Sequence, residues 1–273
     1  MKGFRMKILA CLISIALVVI IPACNGDGTD SGSSASIDSK ITLTPSEVLN
    51  PAQRTLSLSA QTEHIYGCTN YSIANSLTIQ GKVISLDFTA ITEPTTCLTA
   101  LGPARAVINL GSLATAVYSL TMTVNSVVTH ATLVVTDTSY RISNGSGQWT
   151  DFSKTSFLKV PQGIIWGNVQ YGDPSLLNDY QAFIDSLTSY GAQPHIYPAG
   201  DYNYFEIDAA GNVVTPTSAT ANFVKTFIFH YNLDMLRVRA LVKSFAAVNS
   251  STMQYNLYGS SGEVYIGSVL IHE

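Results

Sequence analysis

The residue types best suited to chemistry gather between positions 197 and 208. The stretch Tyr197-Pro198-Ala199-Gly200-Asp201-Tyr202-Asn203-Tyr204-Phe205 sets alternating tyrosines beside a carboxylate and an amide. Phenol rings offer flat apolar faces to a sugar or a peptide, and polar neighbours can fix its orientation. Tyr197, Asp201, Tyr202 and Tyr204 are therefore the candidate ligand-binding residues. The same pattern also suits a strand whose Tyr202 and Tyr204 pack on one face ahead of a core Phe205. Asp201, Glu206 and Asp208 form the densest acidic group, and two carboxylates can share acid and base work in a hydrolase. Glu206 and Asp208 equally suit the solvent side and turn of a hairpin.

The familiar catalytic signatures are absent. The chain has no Gly-x-Ser-x-Gly elbow, His-Glu-x-x-His, Cys-x-x-Cys or Walker loop. His64, His130, His195, His230 and His272 are scattered singly, with no two at the helical spacing of a metal pair. No catalytic residue, metal or cofactor is expected. Charged residues make up only 12% of the chain and hydrophobic ones 46%. That is about half the usual charged share, so uncharged polar side chains must cover the surface, as in secreted β-rich domains. The formal charge is −4, which gives the chain no means of gripping nucleic acid.

The first residues carry an address. Lys2, Arg5 and Lys7 precede a largely apolar run from Ile8 to Ile21, closed by Ile21-Pro22-Ala23-Cys24. The run is shorter than the ~20 residues of a membrane-spanning helix and reads as a secretory signal. Its closing four residues resemble the lipobox of bacterial lipoproteins. The resemblance implies cleavage after residue 23, a lipid on Cys24, and a bacterial cell envelope location anchored in the bilayer. Asn25 follows Cys24 without the aspartate that often retains lipoproteins in the inner membrane of enteric bacteria, so an outer membrane is expected. Once Lys2, Arg5 and Lys7 leave with the signal, 11 of the 14 basic residues face 18 acidic ones, a net −7.

Cysteine use agrees with export. With Cys11 in the signal and Cys24 lipidated, Cys68 and Cys97 remain. An even pair in an oxidising compartment is most simply a disulfide; the alternative is two unrelated buried thiols.

The elements that must position these residues divide into two bodies. Residues 24–40 are rich in Gly, Ser, Asp and Asn and are expected to form a flexible tether. Residues 41–142 hold short β-favouring runs: 55–60, 76–79 and 83–88 around Gln80-Gly81-Lys82, then 106–110, 118–124 and 127–135 joined by Asn125-Ser126. Their spacing predicts an antiparallel sandwich or barrel. Leu113 to Tyr118, entering the next strand, resembles the tyrosine corner of immunoglobulin-like sandwiches, in which the tyrosine hydroxyl bonds back across a turn. Ser143-Asn144-Gly145-Ser146-Gly147 then breaks the strand pattern, and 143–158 is read as a linker.

Residues 159–273 carry helical punctuation. Ser175 is placed to cap a helix whose Leu176, Leu177, Tyr180, Phe183, Ile184 and Leu187 share a face, with Gly191 as its stop. Asp234 is placed to cap a second helix with Leu236, Leu241, Val242 and Phe245 on one side. Strands are expected at 163–169, 202–207, 212–214, 225–231, 252–257 and 264–271. The order gives an α+β domain, ferredoxin-like or irregular. The whole is expected to be mainly β: an immunoglobulin-like sandwich followed by an α+β domain, borne by a non-enzymatic lipoprotein for binding or assembly with an envelope protein or glycan. A hydrolase with an unfamiliar site and an inhibitor or carbohydrate-binding module are the competing expectations.

Overall fold

Alternation of apolar and polar side chains with a period of two governs most of the chain, and this is the period of a strand with one buried face. A computed structural model describes residues 34–215, 222–249 and 252–267. The expected signal, Cys24 and the rest of the tether up to residue 33 lie outside the described residues, as does His272. Strands account for 50% and helices for 14%, so the protein is mainly β.

The first half forms β1 (Ser34–Ala35), β2 (Ile41–Val48), β3 (Thr55–Tyr66), β4 (Ser72–Gln80), β5 (Val83–Thr92), β6 (Gly102–Gly111), β7 (Ala116–Val124), β8 (Val127–Val135), β9 (Ser139–Ser143), β10 (Thr150–Phe152) and β11 (Ser156–Leu158). They join in one large curled sheet, in the order β10-β2-β3-β6-β4-β5-β7-β8-β9-β11, with β1 against β5. Neighbours are antiparallel except β10 with β2, β5 with β7, and a single register pair between β4 and β6. Curling brings Leu43, Leu58, Leu86, Leu120 and Leu133 into one core. Asn125 and Ser126, at φ 49° and 66°, close the β7–β8 hairpin, as a two-residue turn with positive φ at both positions does.

Two segments read as connectors take part in this sheet. Ser34 and Ala35, from the expected tether, pair with Thr92 and Ile91, and Ile37 is buried in the core. The stretch 143–158, read as a linker, supplies both β10 and β11.

The second half carries β12 (Ile164–Tyr171), a 3-10 turn (Pro174–Leu176), α1 (Leu177–Ser189), β13 (Gln193–Pro194), β14 (Gly200–Asp201), β15 (Glu206–Ile207), β16 (Val213–Val214), β17 (Phe223–His230), α2 (Met235–Asn249), β18 (Met253–Gly259) and β19 (Val264–Ile266). One sheet runs β13-β17-β12-β18-β19 with every neighbouring pair antiparallel. Phe183 and Leu187 of α1 and Val238, Leu241 and Val242 of α2 pack with Ile165, Val169 and Tyr171 of β12, so both helices cover one face. The helix start differs from expectation: the Asp173 carboxylate, not Ser175, caps the turn by accepting the Ser175 N–H at 2.8 Å. Asp234 caps as expected, accepting the Leu236 N–H at 2.8 Å. Leu236 itself is 65% exposed and leaves the apolar stripe to Val238.

The other face of β12 presents Ile164, Trp166, Asn168 and Gln170. Trp166 meets Tyr202, Phe205, Ile207 and Val213 around the small sheet β14-β15-β16, with Leu49 and Leu158 of the first half packed against them. The buried amides satisfy one another: Gln170 and Asn256 both donate to the Asn168 Oδ1, at 2.9 and 2.8 Å, and Asn168 donates to the Thr215 hydroxyl at 2.8 Å. Such mutual pairing is what makes burial of polar groups tolerable.

Candidate functional site

Alternation along β2 turns Ile41, Leu43, Pro45 and Glu47 to the inside. The fourth of these is a carboxylate where the pattern calls for a hydrocarbon, and it is 1% exposed. Its Oε2 accepts the Val160 N–H at 2.9 Å, while Oε1 has no hydrogen-bonding partner on the protein. The nearest cation, Arg54 Nη1, stands 4.0 Å from Oε1. Arg54 is committed elsewhere: its guanidinium donates to the carbonyls of Val160, Pro161 and Ser260. Burial pushes the Glu47 carboxyl above its ordinary range, more than the Val160 N–H, Arg54 and Lys159 pull it down. A buried charge without full compensation behaves in this way.

Glu47 lies at the wall of a cavity of about 600 Å³ formed where the strand ends of the first sheet meet residues 158–162, which lead into β12. Arg54, Asp137, Tyr140, Lys159 and Tyr202 line it too, with Leu113, Leu158 and Pro198 as apolar wall. That volume lies within the range of small-molecule sites. The Lys159 ammonium sits 4.8 Å from the centre of the Tyr140 ring. Burial lowers its proton affinity, partly offset by Glu47 and Asp137. The Tyr140 hydroxyl is pushed up to about 12, by burial first and by the Glu47 charge second. Asp137 accepts the Thr115 hydroxyl hydrogen at 2.7 Å. The arrangement can hold a small molecule between an apolar wall and charged groups of both signs, and can exchange a proton at Glu47.

The tyrosine segment is built mostly into the interior. Tyr197 is 9% exposed and its hydroxyl lacks a protein partner. Tyr202 is 2% exposed, stacks on Phe205 at 4.8 Å, and donates to the Pro198 carbonyl at 2.8 Å. Through Tyr202 and Pro198 the segment reaches the cavity wall. Tyr204 faces a second, smaller pocket of about 220 Å³ with Trp166, Asn203 and Tyr258. Asp201 is held by the Lys154 ammonium at 2.8 Å, which also reaches the Asn203 Oδ1 at 3.0 Å. Asp208 organises the turn to β16, where the Asn212 side chain and turn N–H groups hold its carboxyl below the ordinary range.

Cys68 and Cys97 form a disulfide with Cα atoms 5.4 Å apart. Among the described residues no three His, Cys, Asp or Glu side chains gather as a metal site. His195 and His230, far apart in sequence, come to 6.4 Å between ring centres. Glu47, Arg54, Tyr140 and Lys159 were not singled out by residue pattern, because their segments are brought together only by the fold. The one sequence signal was the glutamate at the inward register of β2. No family model matches the chain, and neither the curated proteins nor the solved structures give a significant match.

Proposed function

We propose that this chain is a bacterial envelope lipoprotein, anchored to the bilayer through a lipid on Cys24, whose folded part binds a small ligand without turning it over. The anchor rests on the basic start, apolar run and Ile21-Pro22-Ala23-Cys24 ending. The disulfide accords with an oxidising compartment. An outer-membrane location follows from Asn25. The single observation carrying the binding role is the cavity of about 600 Å³ with the buried, undonated Oε1 of Glu47 at its wall.

For the fold we read the large sheet as an immunoglobulin-like sandwich, supported by Tyr118, whose hydroxyl donates to the Ala114 carbonyl at 3.0 Å. We read β12-α1-β13 and β17-α2-β18 as a ferredoxin-like split βαβ. Its support is the order of the four strands, with β12 and β17 central and a helix after each. The small sheet is then an insertion, and β19 an added edge.

Two measurements test the reading. Lipid on Cys24 is to be sought by mass spectrometry of the full chain, with membrane fractionation beside Cys24→Ala; retention of the variant in the membrane fraction would refute the anchor. Native mass spectrometry of the purified protein is expected to show a bound small molecule that Leu113→Trp, which fills the cavity, releases. A hydrolase is the second reading, favoured by Glu47 and Asp137 both lining the cavity; conversion of the captured molecule, abolished by Glu47→Gln, would establish it.

A further inference from the structure

The geometry points to a neutral saccharide ring as the ligand of the cavity beside Glu47 and Lys159, an inference that rests on the cavity being a ligand site. Two groups on its wall call for partners of opposite kinds. The Glu47 Oε1 is buried and accepts nothing from the protein; it needs a donor. The Lys159 ammonium brings three N–H groups, yet among the described residues it meets only the face of Tyr140 and has no carboxylate within ion-pair distance. It needs acceptors.

Charge decides what carries those partners. Glu47 and Asp137 balance Arg54 and Lys159 on the cavity wall. A ligand ammonium at Oε1 would lie against Arg54, whose guanidinium is 4.0 Å away and pinned by the carbonyls of Pro161 and Ser260. It could not turn aside. A ligand anion at Lys159 would face the two carboxylates. A hydroxyl meets both demands without adding charge, since it donates to Oε1 and accepts from Lys159. Until it arrives, a water can serve, and a hydroxyl that reproduces the water's bonds displaces it without loss.

The apolar wall completes the match. Leu113, Leu158, Pro198 and Tyr202 supply surface for the C–H faces of a pyranose ring. Several hydroxyls on a compact ring, with apolar faces between them, define a saccharide. The volume of about 600 Å³ leaves room for more than one ring.

The test is ligand-observed NMR on the full chain in detergent, using glucose, galactose, N-acetylglucosamine and maltose as neutral probes, and glycine, acetate and ethylamine as charged ones. Saturable transfer to at least one saccharide and none to the charged probes is expected. Lys159→Met should weaken that binding about tenfold or more, and Leu113→Trp should abolish it with the thermal midpoint retained. Lys159→Met is the informative variant because its side chain is only half-buried, whereas Glu47→Gln alters a seam contact. Binding of a charged probe but no saccharide would overturn the inference and leave the cavity a ligand site. Binding of a saccharide unchanged by both variants would place it elsewhere and overturn the inference as well. If no probe binds and no small molecule is released from the native protein, the ligand-site reading falls with it.

Discussion

The phenolic hydrogen of Tyr204 goes to the backbone carbonyl of Glu47, 2.8 Å away and 157 positions earlier in the chain. The same hydroxyl accepts the Leu49 N–H at 3.4 Å. One side chain of the tyrosine segment thus fixes the end of β2, the strand that carries the cavity carboxylate. Together with Arg54 on the carbonyls of Val160 and Ser260, and Lys154 on Asp201, it ties the large sheet to the strands after residue 160. Cavity shape and seam stability are therefore properties of the same few contacts.

Tyr204→Phe isolates that contact. The ring keeps its place 6.0 Å from Trp166, while the carbonyl of Glu47 loses its phenolic donor. Losing such a bond costs about 1 to 2 kcal/mol, and for a chain of this size each kcal/mol lowers the midpoint by about 2 to 4 °C. Calorimetry should show that drop with an unchanged far-ultraviolet spectrum; an unchanged midpoint would mean the bond contributes nothing.

Glu47 should impose a pH dependence with a definite sign. Its folded carboxyl keeps a proton to higher pH than the ordinary value of 4.5, so between 4.5 and the folded value the folded chain binds more protons than the unfolded one. Stability from this group is fullest below that window and is lost as pH rises through it. Arg54, Lys159, Asp137 and Tyr140 face the same cavity and are common to both proteins compared. Thermal melts of the wild type and Glu47→Gln should therefore diverge in favour of the wild type as pH is lowered from neutrality towards 4.5. Parallel curves would show that Glu47 titrates normally.

The disulfide closes a separation of 29 residues. In the chain-entropy picture a loop of that length stabilises by about 3 to 4 kcal/mol. Cys97 is exposed and Cys68 buried, so a reductant reaches the bond from the Cys97 side. Melting under reducing conditions, or of Cys97→Ser, should fall by about 10 °C. A midpoint insensitive to reductant would show that the neighbouring loop is held by other contacts, such as Asn70 on the Thr96 carbonyl and the Leu98 N–H.

Much of the architecture was legible because its causes are local. The alternation of Leu56, Leu58 and Ala60, the β4–β5 hairpin through Gly81 at φ 59°, the Asn125-Ser126 turn and the Gly191 stop at φ 98° each follow from a few adjacent residues. The bond from the Tyr118 hydroxyl back to the Ala114 carbonyl is local in the same way, spanning four positions. Boundaries set by distant partners were not. Between residues 197 and 208 only Gly200–Asp201 and Glu206–Ile207 are strand, because Asn203 at φ 74° and the Asp201 cap on its N–H turn the chain between them. Of the candidate ligand-binding residues named from the sequence, only Tyr202 lies on the cavity wall. Arg54, Lys159 and Glu47 carry no pattern in one dimension, and a lone glutamate at an inward register becomes informative only once the strand's partners are known.

Gly167 offers a sharper test of the second sheet. It lies at the middle of β12, paired with Phe227 on one side and Leu257 on the other. A Cβ built there would fall on the carbonyl oxygen of Asn256 and come within 2.9 Å of the Phe227 ring. The obstacle is backbone in a central strand, which cannot swing away as a flexible side chain could. The change also presses on strands that hold Ile165 and Val169 under both helices. Forced overpacking of this kind costs about 1 to 3 kcal/mol and occasionally more, so Gly167→Ala should melt several degrees lower than the wild type. Hydrogen exchange should locate the loss in β12, β17 and β18, with protection in β7 and β8 retained. Uniform loss across both sheets would mean instead that the halves unfold as one cooperative unit, and the seam contacts of Arg54 and Tyr204 would be the reason.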